Sequence, residues 1–331
     1  MALPRSRSYL GVAKETRPTP GASPTAVAAT DFIPYTSITP FDNITYLDDK
    51  GIRGSMTEQY NVIQGKIYSE FDVSGDVFAD STGFMYAGVL GDVVTTASAA
   101  PYTHTISLLN SQASNGQPPT YTFSDYYALN SASTRQYAGA QMASIDTKFS
   151  ADALLTYSAK AMGFKSVTAA NPTPSFTTVA PIPSWDGSVT IAASVTAIMA
   201  EGNVNISRSV TPIHTVSNDQ NPYQLFAGPL SVDGSMLLIL ESDAQLNYYL
   251  NNTQPAVSID FTAGAGATLT QVKFQMTKCA FTVAKIERGK DYIELNVNYK
   301  AQANTTDAGA SAGYSPVKVV LQNAKVSGTY A

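Results

Sequence analysis

Two stretches of this chain alternate with a period of two, and no other feature limits its fold so strongly. In Gly65–Val77, GKIYSEFDVSGDV, Ile67, Ser69, Phe71 and Val73 fall on one side, and Lys66, Tyr68, Glu70 and Asp72 on the other. In Asp291–Ala301, DYIELNVNYKA, Ile293, Leu295, Val297 and Tyr299 oppose Glu294, Asn296, Asn298 and Lys300. Successive side chains of a strand point to opposite faces, so both stretches predict half-buried antiparallel strands, one face on a core and one on water or a neighbour.

Helical signals are few. ADSTGFMYAGVLGD carries Asp80 or Ser81 as a cap, places Phe84, Ala87 and Gly88 on one side and closes at Gly91-Asp92; SDAQLNYYLNN carries Ser242 or Asp243 as a cap, with Leu246, Tyr249 and Leu250 at helical spacing. These two segments occupy matching places in a repeated plan. In the first half a strand over Gly65–Val77 leads to the first helix, then QPPTYTFSDYY, then SIDTKFSADALLTYSAKA. In the second, GPLSVDGSMLLILE leads to the second helix, then QPAVSIDF, then FTVAKIERGKDYIELNVNYKA. The order and the Gln-Pro and Lys-Ala landmarks agree, which predicts an internal duplication. Residues 1–30 and 166–186 are rich in Pro, Ala, Thr and Ser without a period, and read as an extended arm and a linker. The β-regions expected are 31–165 and 187–331. A length of 331 residues suits two domains or one large β-domain.

A chain of this size can hide roughly 75% of its unfolded surface, so it needs no disulfide or metal, and the single Cys279 cannot make an internal bridge. No run is apolar enough to span a bilayer and no secretory leader is read at the amino terminus, so no membrane partner is expected. A net charge of −5 opposes a main role in gripping nucleic acid, which needs a basic stripe.

Catalytic groups are scarce. His104 and His214 are the only histidines, and no Cys-x-x-Cys or His-x-x-x-His spacing occurs, so no metal, cofactor or catalytic set is expected. GASAG, Gly309–Gly313, fits the nucleophile-elbow pattern with Ser311 in the nucleophile's place, but neither a strand-turn-helix context nor a downstream histidine accompanies it, and a flexible loop is the expectation. AGAGA, Ala263–Ala267, lacks the companions of a phosphate loop; DVSGD and SNDQNPY lack the carboxylates of a calcium loop; all three read as turns. Nineteen tyrosines, among them Tyr126, Tyr127, Tyr248 and Tyr249, suit protein interfaces better than ligand stacking. LDDKGIRGSMTEQY, Leu47–Tyr60, gathers Asp48, Asp49, Lys50, Arg53 and Glu58 in a chain only 14% charged. With no base, metal set or phosphate cradle beside it, this stretch reads as the turn of a contact arm. In the duplicated plan its twin carries Arg208, Pro212 and His214.

The blocks YLGVAKETRPTPG, YLDDKGIRGSM, APYTHTISLLNS, NGQPPTYTFSDYY, VTPIHTV, YLNNTQPAVSIDF and ERGKDYIELNVNYKAQANTTDAGASAGYSP together resemble the major tail tube proteins of long-tailed, non-contractile bacteriophages of the siphovirus type. The resemblance runs over nearly the whole chain. It implies a mainly β chain of two tandem tail-tube-like β-sandwich or barrel domains, each with a short flanking helix. It implies a structural virion protein, made in the bacterial host cytoplasm, without enzymatic activity. Copies would join into rings of six β-domains, a trimer of duplicated subunits with a hexamer as the alternative, stacked into a tube. Double-stranded DNA would pass through the lumen without specific binding, and tape measure, tail terminator and tail tip proteins would be partners. By the same analogy Asp48, Asp49, Lys50, Arg53, Arg208 and His214, together with the arm of residues 1–30, are candidate contacts between rings or subunits. The other reading is a carbohydrate- or receptor-binding β-module of a tail tip.

Overall fold

A computed structural model of the chain describes residues 4–127, 134–196, 198–217 and 219–331. The first half contributes β1 (Tyr9–Glu15), β2 (Asp31–Ile33), β3 (Ser37–Asp49), β4 (Asn61–Asp76), α1 (Gly83–Leu90), β5 (Gly91–Thr96), β6 (Tyr102–Leu108), β7 (Thr120–Tyr126), β8 (Thr134–Ser150), β9 (Thr156–Gly163) and β10 (Val167–Ala169). The second contributes β11 (Gly187–Ile191), β12 (Ser194–Thr196), β13 (Met199–Ile213), β14 (Gln224–Ile239), α2 (Ala244–Leu250), β15 (Val257–Ala263), β16 (Thr270–Met276), β17 (Cys279–Glu287), β18 (Glu294–Ala301) and β19 (Lys318–Asn323).

Both alternating stretches form strands with the expected faces. Ile67, Ser69, Phe71 and Val73 of β4 are buried, as are Leu295, Val297 and Tyr299 of β18, whereas Ile293, just before β18, is exposed. All pairings are antiparallel and build two sheets. The larger has twelve strands, and its long run is β17-β18-β14-β13-β8-β9-β4-β3, with β7, β1, β2 and β10 on the amino-terminal part of β8. The smaller has seven, in the order β12-β11-β15-β16-β19-β6-β5. Each sheet draws strands from both halves. β13 pairs with β8 in the first, and β19 lies between β16 and β6 in the second.

The sheets pack through one core that also spans both halves, as in the contacts of Phe149 on β8 with Phe261 on β15 and of Tyr86 on α1 with Phe274 on β16, at ring separations of 5.2 and 5.7 Å. β8 serves two parts of the large sheet because it bends at Gly139, whose φ of 65° favours glycine; a Cβ there would also stand 2.6 Å from the Phe164 ring.

All eight residues of α1 are buried, so this helix is a core element rather than an amphipathic flank. Eight residues are too few to hold a helix in water, and burial of its large side chains, at about 1.5–3 kcal/mol each, supplies the missing stability. Thr82 occupies the N-cap position in place of Asp80 or Ser81, and Gly91 ends the helix at φ 96°. α2 starts after Asp243, and none of its residues is buried.

The stretch read as an extended arm contains β1, whose residues from Tyr9 to Glu15 pair with β7; Leu10 and Val12 are completely buried in the core. Residues 1–3 lie outside the described residues. The stretch read as a linker lies along the first half: the Tyr9 hydroxyl donates to the Pro172 carbonyl at 2.6 Å, Thr177 Oγ1 to Asp80 at 2.6 Å, and Ile182, fully buried, donates its N–H to Val77.

Two buried polar groups tie these parts together. His104 on β6 accepts at Nδ1 from the Thr95 hydroxyl (2.9 Å), which leaves Nε2–H to face Asn323 Oδ1 (3.2 Å). Asn323 Nδ2 then donates to the Ala79 carbonyl, and the Tyr330 hydroxyl to the Asp80 carbonyl, so one polar knot joins β5, β6, β19 and the start of α1. Burial pushes the His104 pKa below its ordinary value. Arg208 on β13 reaches from the second half into the first, where Nη1 donates to the Val89 carbonyl at the end of α1 (3.0 Å) while Nε donates to Gly228 (2.9 Å). Burial, and after it the neighbouring Arg17, brings its pKa down to about 10, so it stays charged at neutral pH and satisfies a helix C-terminal carbonyl.

Because folded His104 resists protonation and the unfolded residue does not, its contribution to stability is present above about pH 6.5 and lost as pH falls through that value. The melting temperature of the native protein is expected to drop more between pH 7 and pH 5 than that of His104→Gln; equal drops would contradict this. Arg208→Met leaves the buried Val89 carbonyl and the part-buried Gly228 carbonyl without their donor and is expected to lower unfolding stability by about 1–3 kcal/mol, read from denaturant melts.

Candidate assembly surfaces

The large sheet turns one face to the core and leaves the other open. On the core side β13 places Val204 and Ile206, and β8 places Ile145 and Thr147; on the open side stand Asn203, Asn205, Ser207, Ser144, Asp146 and Lys148. The same alternation crosses β9, β4, β14 and β18, where Ser158, Lys160, Glu70, Asp72, Ser235, Asp233, Asn296 and Asn298 share the open side. The surface is mainly polar, with Leu237, Tyr68 and Phe41 as larger side chains on the same side. Four of its lysines sit beside or opposite carboxylates: Lys148 lies 3.5 Å from Asp146, Lys160 3.7 Å from Asp72, Lys285 3.5 Å from Glu287, and Lys300 stands opposite Asp233 in the β14–β18 register, whereas Lys66 of β4 is exposed on the same face near His214. Glu70 and Glu201 are left over on the same face, so its sign is acidic.

The open run of the large sheet ends at β3 on one side and β17 on the other, and among the described residues each pairs with a single strand. These are long edges, thirteen and nine residues, with unpaired backbone groups along one side. The other free edges among the described residues are shorter: three residues each in β2, β10 and β12, and six in β5 at the end of the small sheet.

β3 and β4 continue past the sheet as a hairpin whose tip is the charged stretch. The tip's charges satisfy one another: Arg53 pairs with Asp49, Lys50 lies 3.6 Å from Glu58, Gln59 Nε2 donates to Asp48 at 2.6 Å, and the Arg53 guanidinium stands 4.8 Å from the Tyr60 ring centre. Each exposed pair contributes only about 0–1 kcal/mol, so their role is to shape the tip. The same hairpin also carries apolar neighbours. Tyr46, Leu47, Ile52, Met56, Val62 and Ile63 are all exposed, Ile52 and Met56 almost completely. A cluster of this kind on one projection marks a surface built to be covered. Reading the charges alone passes over these residues, although their presence inside a charge-dense stretch is a signal in the sequence.

The six candidate contacts therefore divide. Asp48, Asp49, Lys50 and Arg53 gather at the free tip. Arg208 is buried in the subunit's own junction, and His214 sits at the end of the β13–β14 hairpin, which folds back on its own subunit: Ile67 N–H donates to the Gln220 carbonyl (3.0 Å) and Gln220 Nε2 to the Gln64 carbonyl (2.7 Å). The His214 ring lies 6.4 Å from that of Tyr68, and burial, then Lys66, lowers its pKa. Asn218 of the SNDQNPY stretch lies outside the described residues.

The catalytic candidates have structural partners. Ser311 donates both its N–H and its hydroxyl to Asp92 Oδ2, each at 2.7 Å, and the Asn110 N–H donates to Ser311 Oγ at 3.0 Å. Asn110 Nδ2 also donates to Ala312 and Tyr314, so GASAG is a loop fastened to β5 and β6, while both nitrogens of His104 are engaged elsewhere. Tyr126 is buried and stacked on Tyr9 at 4.4 Å, leaving Tyr127 without a paired stacking surface; Tyr248 packs on Phe281. Among the described residues no group of three or more His, Cys, Asp or Glu is gathered for a metal, and no helix is long and apolar enough to cross a membrane.

No curated protein matches the chain. A family match described as phage tail tube protein runs over residues 5–301 and so takes in both halves and the stretch between them. The chain, a mainly β protein with two antiparallel sheets, belongs to the phage tail tube protein family.

Proposed function

We propose that this tail tube protein joins head to tail into rings, that the rings stack into a hollow tube, and that the open polar face of the large sheet lines the channel. The observation that carries the reading is the large sheet itself. Its long run consists of two four-strand units in the same order, β8-β9-β4-β3 and β17-β18-β14-β13, already joined head to tail inside one chain through β8 and β13. A head-to-tail contact leaves one free edge of each kind, and it either closes into a ring or continues as a filament. Closure satisfies the two long edges, which would otherwise template aggregation.

If each four-strand unit counts as one of six positions in a ring, three copies complete it. The hexameric alternative would need six copies of the whole chain and twice that number of units. The face assigned to the channel suits the passage of double-stranded DNA: mainly polar side chains, three lysines paired with carboxylates and an acidic remainder give phosphates little to hold. The projecting β3–β4 hairpin, with its apolar residues and shaped tip, is assigned to contact between subunits or rings. Tape measure, terminator and tip proteins of the tail are the further partners this reading requires.

Electron microscopy of the purified, polymerised protein is expected to give stacked rings with an open channel and three-fold end-on averages; discrete particles without a channel would overturn the reading. Reversing charge in the double variant Asp48→Lys, Asp49→Lys is expected to shorten the polymers while leaving the melting temperature of the subunit unchanged. The tip pairs it removes are exposed and individually worth about 0–1 kcal/mol, but they recur in every copy along a tube. Polymers of native length would remove the assembly role of the tip.

A further inference from the structure

Resting on the head-to-tail reading above, the internal junction also predicts the register in which two copies meet. The two four-strand units share two bulges as well as their order, while a further shift in β13–β14 between Met199 and Glu201 falls before the counterpart of β3 begins. β3 slips against β4 between Ile44 and Tyr46, and β13 slips against β14 between Arg208 and Val210. β8 slips against β9 between Met142 and Ser144, and β17 slips against β18 between Phe281 and Val283. At the first bulge a Cβ on Gly65 would come 2.7 Å from Thr45 Oγ1, and one on Gly228 would come 2.3 Å from Ser209 Oγ. Thr45 is thus the counterpart of Ser209, and Ala143 the counterpart of Thr282. α1 packs on β8 as α2 packs on β17.

Inside the chain the junction runs from Glu201 opposite Ser150 to Ser207 opposite Ser144. Counted from the two bulges, the counterparts of Glu201 and Ser207 are Ser37 and Asn43, and those of Ser150 and Ser144 are Gly289 and Val283. We infer that β3 of one copy pairs antiparallel with β17 of a second copy, with Ser37 opposite Gly289, Thr39 opposite Glu287, Phe41 opposite Lys285 and Asn43 opposite Val283. The pairing extends β17 by two residues.

Three features of the free edges agree with this register. Thr39 and Phe41 lie on the open polar face with Asp72 and Glu70, and Lys285 and Glu287 lie on that face with Asn296 and Glu294, so the alternation continues unbroken across the junction; a slip of one residue would turn every side chain to the wrong side. Phe41 and Val283, 59% and 43% exposed, each gain a directly opposed neighbour. Further along the hairpins, Val210 and Leu225 are buried in a cluster with Phe164 of the first unit, while their counterparts Tyr46 and Val62 remain 58% and 48% exposed.

The test is disulfide trapping in the full-length protein. Directly opposed antiparallel residues have Cα atoms about 4.5–5.5 Å apart, within disulfide range, whereas residues offset by two positions are about 7–8 Å apart. The double variant Thr39→Cys, Glu287→Cys, assembled and then oxidised, is expected to run as covalent multimers ending at a closed ring on a non-reducing gel. The offset variant Thr39→Cys, Lys285→Cys is expected to remain largely monomeric. Tubes that form normally but are trapped only by the offset pair would overturn the register and leave the tube reading intact. A native protein that forms no rings would overturn both. If the cysteine variants do not fold, hydrogen exchange on the native protein decides: residues 37–43 and 283–289 are expected to gain protection on assembly, and equal exchange in monomer and tube would overturn the pairing.

Discussion

The antiparallel pairing of β13 with β8, from Glu201–Ser150 to Ser207–Ser144, is the contact on which the rest of the molecule depends. It turns two small sheets into one, and through Val204, Ile206, Ile145 and Phe149 it lays a continuous apolar floor under both halves. Hydrogen bonds of this kind contribute only about 0.5–1.5 kcal/mol each. Their larger effect is geometric, since the pairing fixes which side chains of both halves look inward. Arg208 reinforces the join by crossing it to the end of α1. The second sheet repeats the stitch in another layer, where β19 lies between β16 of the second half and β6 of the first. A chain joined in both layers around one core has no plane along which its halves can separate without exposing apolar surface.

The reach of sequence reading follows from what each signal measures. Period-two alternation reports a strand with one buried face, and it located β4 and β18 with the correct faces because both lie in a sheet with one side open. It failed at Ile293, where the strand has not yet begun and the side chain is exposed. Helical spacing found α1 and α2, and Gly91 marked a true helix end. The same signal could not show that α1 is enclosed on every side, because enclosure depends on β8, β6 and Tyr330, which are distant in sequence. Proline-rich composition suggested an arm and a linker, yet Leu10, Val12 and Ile182 inside those stretches are completely buried; average composition conceals single apolar anchors.

At the assembly surfaces the charged tip was legible because charge is rare in this chain. The apolar residues around it were not, since an isolated Ile or Met in a sequence carries no mark of exposure. Arg208 illustrates the opposite difficulty. Its place in the twin of the charged arm suggested an outward contact, but that twin is already occupied within the subunit, and the guanidinium serves the fold. Whether a hairpin is spent internally or left free is decided by which neighbour the chain itself provides.

The pairing of lysines with carboxylates on the open sheet face has a thermodynamic consequence. Cationic side chains that capture nucleic acid draw much of their affinity from entropy, because each phosphate they neutralise releases a condensed counterion to the solution. Lys148, Lys160 and Lys285 are each beside a carboxylate, and that of Asp146 is itself held by Asn203. To engage a phosphate, such a lysine must first give up its carboxylate, which then recruits a cation of its own, and the net release of ions is small. A polyanion lying along this face therefore draws little affinity from counterion release.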